Sequence, residues 1–499
     1  MIEDARGLSS ATCIESDLCI IGGGPAGMAV ALRFACTGVR VCLLECGGLH
    51  QERRSQELLH GEHGGQPGLP LHWTRQSRLG GTAGWWGGEC RPLDDAQDLS
   101  PRPWLDHPGW PISATDLKPF EPEACAFCGL GFGPFESHDM LLAQRQSLPL
   151  DPERFSTCLF RYAAPKDLTR LHRPRLDKAR NIRVLLHAAA IRLEVAPGSR
   201  TVDAVRFSSF QGLEHVLRAR RVVLAAGGIE NARLLLVSED LGNDKIGRCF
   251  MDHLYLDDVA TFAPSPAAPG LRAYARRTSV SDSTFKLALM PRAALLAAAG
   301  SSHCCIKLAA PIKRTRAMLA AIALRHGLSS GYLPEPSHRL LARMITTSPE
   351  LISQIARSLR RAEDASNPVP AGLAVSMVLE QLPNPDSRVT LSRTVDALGR
   401  PQARLDWRLS DADRLGWSAI LAALDGDLRR EGLGRLNHLP RDATVFDRLR
   451  PACHHMGTTR MSARPETGVV DRNGRVHGVG NLLLPEARSS LRAVMPTRC

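Results

Sequence analysis

The chain has 499 residues, 43% hydrophobic and 23% charged, enough apolar material for two or three packed domains and too much for a disordered chain. A net charge of +12 and a pI of about 9.3 would suit nucleic acid or an anionic membrane surface. The basic residues, however, are 56 Arg against 7 Lys, spread along the chain with only 4 Tyr. That reads as coding composition rather than a binding patch, and no nucleic-acid partner is expected.

From Met1 the chain enters an apolar strand at Asp17 without the basic and apolar stretches of a signal peptide. It holds no run of 18 apolar residues, so a protein without a transmembrane segment, cytoplasmic in location, is expected. The 14 Cys are scattered, several in apolar contexts such as Cys19, Cys36 and Cys42, which predicts reduced thiols. Cys125-Ala-Phe-Cys128 lacks a second ligand pair and reads as one side of a helix, not as a metal site.

Asp17 to Ile21 suits a buried parallel strand. It leads into Gly22-Gly23-Gly24-Pro25-Ala26-Gly27, then a helical stretch from Met28 to Thr37, and a second strand, Val39 to Leu44, ending in Glu45. This is G-x-G-x-x-G between strand and helix. Gly22 permits the turn, Gly24 lets a pyrophosphate approach the backbone, and Gly27 lets the helix pack on the sheet. The helix N-terminus meets phosphate charge, and Glu45 is placed for ribose hydroxyls. A dinucleotide site follows, either FAD or NAD.

Arg78-Leu79-Gly80-Gly81-Thr82-Ala83-Gly84-Trp85-Trp86-Gly87-Gly88 is too glycine-rich for a strand or helix and predicts a close-packed loop. Arg221 to Leu236 reads as strand, glycine turn (Ala226-Gly227-Gly228) and helix. In this order the segments resemble the glucose–methanol–choline (GMC) family of FAD oxidoreductases, in its short bacterial form. The likeness continues through Pro103-Trp104, Gly109-Trp110-Pro111-Ile112, Met251-Asp252-His253 and Pro383-Asn384-Pro385-Asp386-Ser387-Arg388-Val389.

The resemblance implies an α/β fold, α+β overall: a Rossmann-like FAD-binding domain interleaved with a substrate domain built on a sheet with helices on one side. The FAD domain would gather 1–105, 155–254 and 449–499, and the substrate domain 106–154 and 255–448. Gly80, Gly81, Thr82, Trp86, Gly87 and Gly88 would run along the cofactor, Ala190 would approach the adenine, and Ala226 and Gly227 would pack on FAD. Trp85 stands where some relatives carry the His that binds FAD covalently, so noncovalent FAD is expected. Residues 255–375 resemble the family least. Within them Ile312 to Arg361 reads as helical with a basic, solvated face.

Cys453-His454-His455-Met456-Gly457-Thr458-Thr459 carries the H-x-x-G-T pattern of the family's catalytic loop. Oxidising an alcohol needs a base of near-neutral pKa, which His supplies. The resemblance assigns that role to His454, with the adjacent His455 as second choice. The implied reaction is oxidation of a CH–OH group of a sugar, polyol or other alcohol by hydride transfer to flavin, with oxygen, a quinone or a carrier protein as electron acceptor. A flavoprotein lyase is an alternative, since some relatives cleave cyanohydrins.

The family closes its site with a downstream Asn-Pro-Thr segment. Gly478-Val479-Gly480-Asn481 leads toward it, but the text from Pro485 onward does not match. If the first two bases of each codon are read as the last two of a codon in the neighbouring frame, Glu486 to Arg498 back-translates, given suitable third bases, to G-S-S-V-F-P-T-G-G-H-A-N-P. That is close to the family's segment and contains the missing Asn. The expectation is a frameshifted C-terminus and a chain that is catalytically impaired as written.

Overall fold

A computed structural model describes the chain except residues 10–11, 94–97, 106–107, 132–134, 136–146, 197, 239–240, 242, 267, 269, 281–282, 311–371, 441–442 and 486–499. The expected helix from 312 to 361 and the altered C-terminus therefore lie outside the described residues. The fold is α/β, with two large sheets and a small third one.

The first sheet runs Ile2–Asp4, Ile182–Leu186, Val41–Leu44, Cys13–Ile21, Glu214–Leu224, Val202–Ser208, Ala189–Val195. Its first five strands are parallel and the last two return as an antiparallel meander. Leu18, Cys19, Ile20 and Ile21 in its middle are buried, as a strand covered on both faces requires. Helix α1, Pro25–Arg33, follows this strand directly, with Pro25 in its first turn, where a missing N–H costs nothing. The glycine fingerprint thus sits at the carboxyl end of a central parallel strand, where open α/β sheets bind ligands. Helix α2, Gly228–Val237, leaves the end of Glu214–Leu224 beside it.

The second sheet runs Gly434–Asn437, Leu254–Pro264, Leu373–Leu379, Cys304–Ala309, Ser283–Pro291, Phe155–Tyr162, Glu89–Cys90 and is antiparallel. Alternation divides its side chains between two faces. Leu159, Leu287, Leu289, Ile306, Leu308 and Met377 join the main core together with Trp417, Ile420 and Leu424 of helix α3, Ala412–Arg430. The other face carries a separate cluster of Cys158, Phe160, Ala288, Met290, Cys305 and Val378, with Tyr255 against it.

Sheet pairing crosses the division expected from sequence at several places. Glu89–Cys90 and Phe155–Tyr162 pair within the second sheet, although both fall in segments expected with the FAD domain. Phe155–Tyr162 is covered on both faces, with Leu159 in the main core and Cys158 and Phe160 in the second cluster. Arg388–Val395, Pro401–Trp407 and Gly61–Gly65 form the third sheet.

Twelve described cysteines are free thiols, Cys125 among them. Among the described residues no group of three or more His, Cys, Asp or Glu could hold a metal, and no helix is long and apolar enough to cross a membrane.

Candidate active site

A cleft of about 230 Å³, partly open to solvent, runs between the fingerprint and the histidine loop. Of the residues expected to bind cofactor, Gly22, Gly24, Glu45, Gly81, Thr82, Trp86, Ala190, Ala226 and Gly227 line it, and so do both His454 and His455.

Gly27, Gly80, Gly87 and Gly88 do not line the cleft. Gly27 instead allows helix α1 to approach the turn, because a Cβ there would stand 1.9 Å from the Gly22 carbonyl oxygen. Gly80 is left-handed and lies against Thr169 Oγ1, and Gly88 lies against the Lys166 side chain. Gly24 faces open space, so nothing on its Cα blocks a phosphate.

Glu45 does more than face a ribose. Its Oε2 accepts from Gly23 N–H at 2.7 Å and its Oε1 from Gly47 N–H at 2.7 Å, which pins the fingerprint to the next loop. Burial raises its pKa against the pull of these two N–H groups. Each oxygen keeps a second lone pair for a hydroxyl.

Around Ala190 the cleft is built by charged residues that carry no sequence motif. Arg75 Nη1 meets Glu230 Oε1 at 2.6 Å, and Asp396 Oδ2 holds both Arg233 Nη2 (2.7 Å) and Arg400 Nη2 (2.8 Å). Arg400 Nη1 donates to the Ala190 carbonyl at 2.7 Å. Burial alone would raise Glu230, but the guanidiniums of Arg233 and Arg75 hold it down to about 2. Arg75, Glu230 and Arg400 all line the cleft; scattered over 326 positions, they show no local pattern from which they could have been read.

At the other end the histidine loop is fixed at four points. Gly457 has φ +89, and a Cβ on it would stand 1.8 Å from the Cys249 carbonyl oxygen, so only glycine fits. Thr458 Oγ1 donates to the Gly228 carbonyl at 2.5 Å, tying the loop to the start of helix α2. Asp252 clasps the loop's entry, its Oδ2 accepting from Cys453 N–H (2.7 Å) and its Oδ1 from His454 N–H (3.0 Å). Cys453, at φ +63, is held in a region that disfavours side chains. Last, His454 Nδ1 lies 2.6 Å from Nε2 of His253, a buried residue. His455 takes another direction, its ring tilted against Phe250 at 5.4 Å.

Asp252 and His253 are the functional residues sequence reasoning missed. The signal was the Met251-Asp252-His253 string, about 200 residues before the loop it supports, and the two are brought together by an antiparallel bridge between Met251 and Met456 and by the pairing of Leu254 and Tyr255 with Pro451 and Arg450.

Residues 383–487 match the GMC oxidoreductase family model for the C-terminal domain. A 110-residue stretch is 31% identical to the paromamine 6'-oxidase of Streptomyces fradiae, spanning 22% of this chain and 19% of that protein. The fold is shared with formate oxidase (TM-score 0.53, 17% identity, 96% of this chain and 94% of that one). It is also shared with pyridoxine 4-oxidase from Mesorbium loti (TM-score 0.50, 17% identity, 96% and 95%). The chain thus shares its fold with these two oxidases, and its 383–487 segment matches the GMC oxidoreductase C-terminal model. The cofactor of this class is FAD, and the cleft fits it: an open Gly24, a helix N-terminus at Pro25 and a buried carboxylate at Glu45 lie in line with Gly81, Thr82 and Trp86.

Proposed function

We propose that the chain is an FAD-dependent oxidoreductase acting on a CH–OH group of a sugar, polyol or other alcohol, with His454 as the base. The observation that carries this reading is the 2.6 Å contact between His454 Nδ1 and His253 Nε2 at the end of the dinucleotide cleft. Gly22, Gly24, Gly81, Thr82, Trp86, Ala226 and Gly227 would hold FAD, which when bound supplies the hydride acceptor.

The contact sets the protonation required of both rings. A base must present an unprotonated Nε2, so His454 carries its proton on Nδ1 and donates it to Nε2 of His253. As His454 takes the hydroxyl proton, that hydrogen bond becomes charge-assisted and strengthens. His253 thus favours the product of proton transfer over its start, which is the differential stabilisation that lowers a barrier. The Asp252 clasp holds the backbone so that Nε2 stays aimed. His455, turned toward Phe250, takes no part in the transfer.

A second reading, a protein of this class impaired by its C-terminus, is favoured by one observation: the family match ends at residue 487, where the text departs from the family's. Losing one preorganised oxyanion partner typically costs on the order of 10²–10³ in rate. A panel of sugars and alcohols assayed with an artificial electron acceptor, on the chain as written and on a frame-corrected one, tests both readings. Turnover by neither would sink the first, and equal turnover by both would sink the second.

A further inference from the structure

The face of the second sheet that carries Tyr255 also carries Lys286 and Lys307. Register places Lys286 opposite Phe160, Glu89 opposite Tyr162, and Cys305 and Tyr255 both opposite Val378. With side chains alternating, Lys286, Lys307, Glu89, Tyr162 and Tyr255 therefore share one face. Three of the 7 lysines in a chain with 56 arginines gather here: Lys166, Lys286 and Lys307.

Among the described residues, only Lys307 of these three is paired with a carboxylate. Lys307 Nζ is bound by both oxygens of Glu89, at 2.8 and 2.7 Å, which commits that carboxylate. Lys286 is half-buried and feels the charges of Lys307, Glu89 and Arg277, and the Arg277 guanidinium lies 3.9 Å over the Tyr162 ring. No described residue forms an ion pair with Lys286, Arg277 or Lys166. Burial, and after it the neighbouring Lys307, pull the Lys286 pKa down to about 8. An uncompensated ammonium in such a place costs free energy, which a bound anion would return.

The cluster adjoins the candidate active site on two sides. Tyr255 packs edge-on against His253, ring centroids 5.2 Å apart, and His253 touches His454. On the other side Trp86 Nε1 donates to the Lys166 carbonyl at 2.6 Å, and Glu89 directly follows Gly87-Gly88 of the cofactor loop. Arg277 and Lys166 are exposed while Lys286 and Lys307 lie progressively deeper, so the charge leads inward.

We propose that the alcohol oxidised at His454 carries an anionic group, a carboxylate or a phosphate, that binds Lys286 and Arg277 with the Lys307–Glu89 pair as its floor. This rests on the oxidoreductase reading above and narrows its substrate class. A chain-wide excess of Arg does not account for it, because the residues concerned are mostly Lys, compact charges that suit a point contact to an anion.

The test is calorimetric titration of the full chain, reconstituted with FAD, using matched pairs: glycolate against ethylene glycol, and glycerol 3-phosphate against glycerol. At least one anion should bind tenfold or more tighter than its neutral partner, with the preference falling as salt rises. Lys286→Gln should remove most of that preference and Lys286→Arg should keep it. A preference for glycolate assigns a carboxylate, one for glycerol 3-phosphate a phosphate, and either supports the site. Equal affinity within both pairs, or an anion affinity indifferent to Lys286→Gln, overturns it. Flavin bleaching by the neutral alcohols alone would overturn the anion site and leave the oxidoreductase reading standing. Lys286-dependent anion binding without bleaching by any alcohol would do the reverse.

Discussion

His253 Nε2 stands 2.6 Å from His454 Nδ1, so the proton on one imidazole dictates the tautomer of the other. His454→Ala removes the base and should slow flavin reduction by roughly 10²–10⁴-fold, the span of general-base contributions. His455→Ala should cost far less, because that ring packs against Phe250. Stopped-flow reduction rates of the two variants separate them, and equal losses would contradict the assignment.

His253 acts through His454 and is a positioning residue. His253→Phe should keep flavin content but slow reduction by on the order of 10²-fold, the cost of a misplaced reactive group. It should also move the pH profile of reduction, since His454 then titrates without its partner. A lowered rate with an unmoved profile would mark His253 as packing only.

Gly457→Ala places a methyl 1.8 Å from the Cys249 carbonyl oxygen on a left-handed residue. The cost should reach or pass the upper end of the ~1–3 kcal/mol typical of overpacking. Denaturant unfolding reads the loss, accompanied by loss of bound flavin as the loop detaches from helix α2. Wild-type stability in this variant would refute the packing described for the motif.

Glu230 has a folded pKa of about 2 against an ordinary value of 4.5, held down by Arg233 and Arg75. For a depressed carboxylate the stabilisation is fully present above pH 4.5 and is lost as pH falls through 2. The shift corresponds to at most about 3 kcal/mol, with 17% of the side chain still exposed. Stability measured from pH 5 down to pH 2 should fall more steeply in the wild type than in Glu230→Gln. Parallel slopes would show that the network contributes nothing to acid stability.

A frame-corrected chain, in which the family segment replaces residues 486–499, should bind more FAD and turn over faster by the on the order of 10²–10³ that one oxyanion partner contributes. Absorbance at the flavin band and steady-state rates check this. Resequencing the gene checks the premise directly: no family segment in the alternative frame beneath Pro485 would remove it.

Local signals carried far in this chain, and distant ones did not. Strand, glycine turn and helix from Asp17 to Glu45 were legible because each constraint acts within a few residues, and nine of the thirteen expected cofactor residues line the cleft. The packing role of Gly27 was legible from its place in the fingerprint, whereas that of Gly80 against Thr169 was not, because a glycine needed for close approach reads like one needed for a ligand. Asp252, His253 and Arg75 were missed because their partners Cys453, His454 and Glu230 lie 155 or more positions away and meet them only through the tertiary fold. Glu45 was found, but its bonds to Gly23 and Gly47 required the loop geometry.

The most direct test is anaerobic flavin reduction by an alcohol, followed by absorbance in the FAD-reconstituted chain and in His454→Ala. The account predicts bleaching by at least one CH–OH substrate in the parent, slowed by 10²-fold or more in the variant, on the order expected for a lost general base. Bleaching at the same rate in both, or none in either the chain as written or its frame-corrected form, would contradict it.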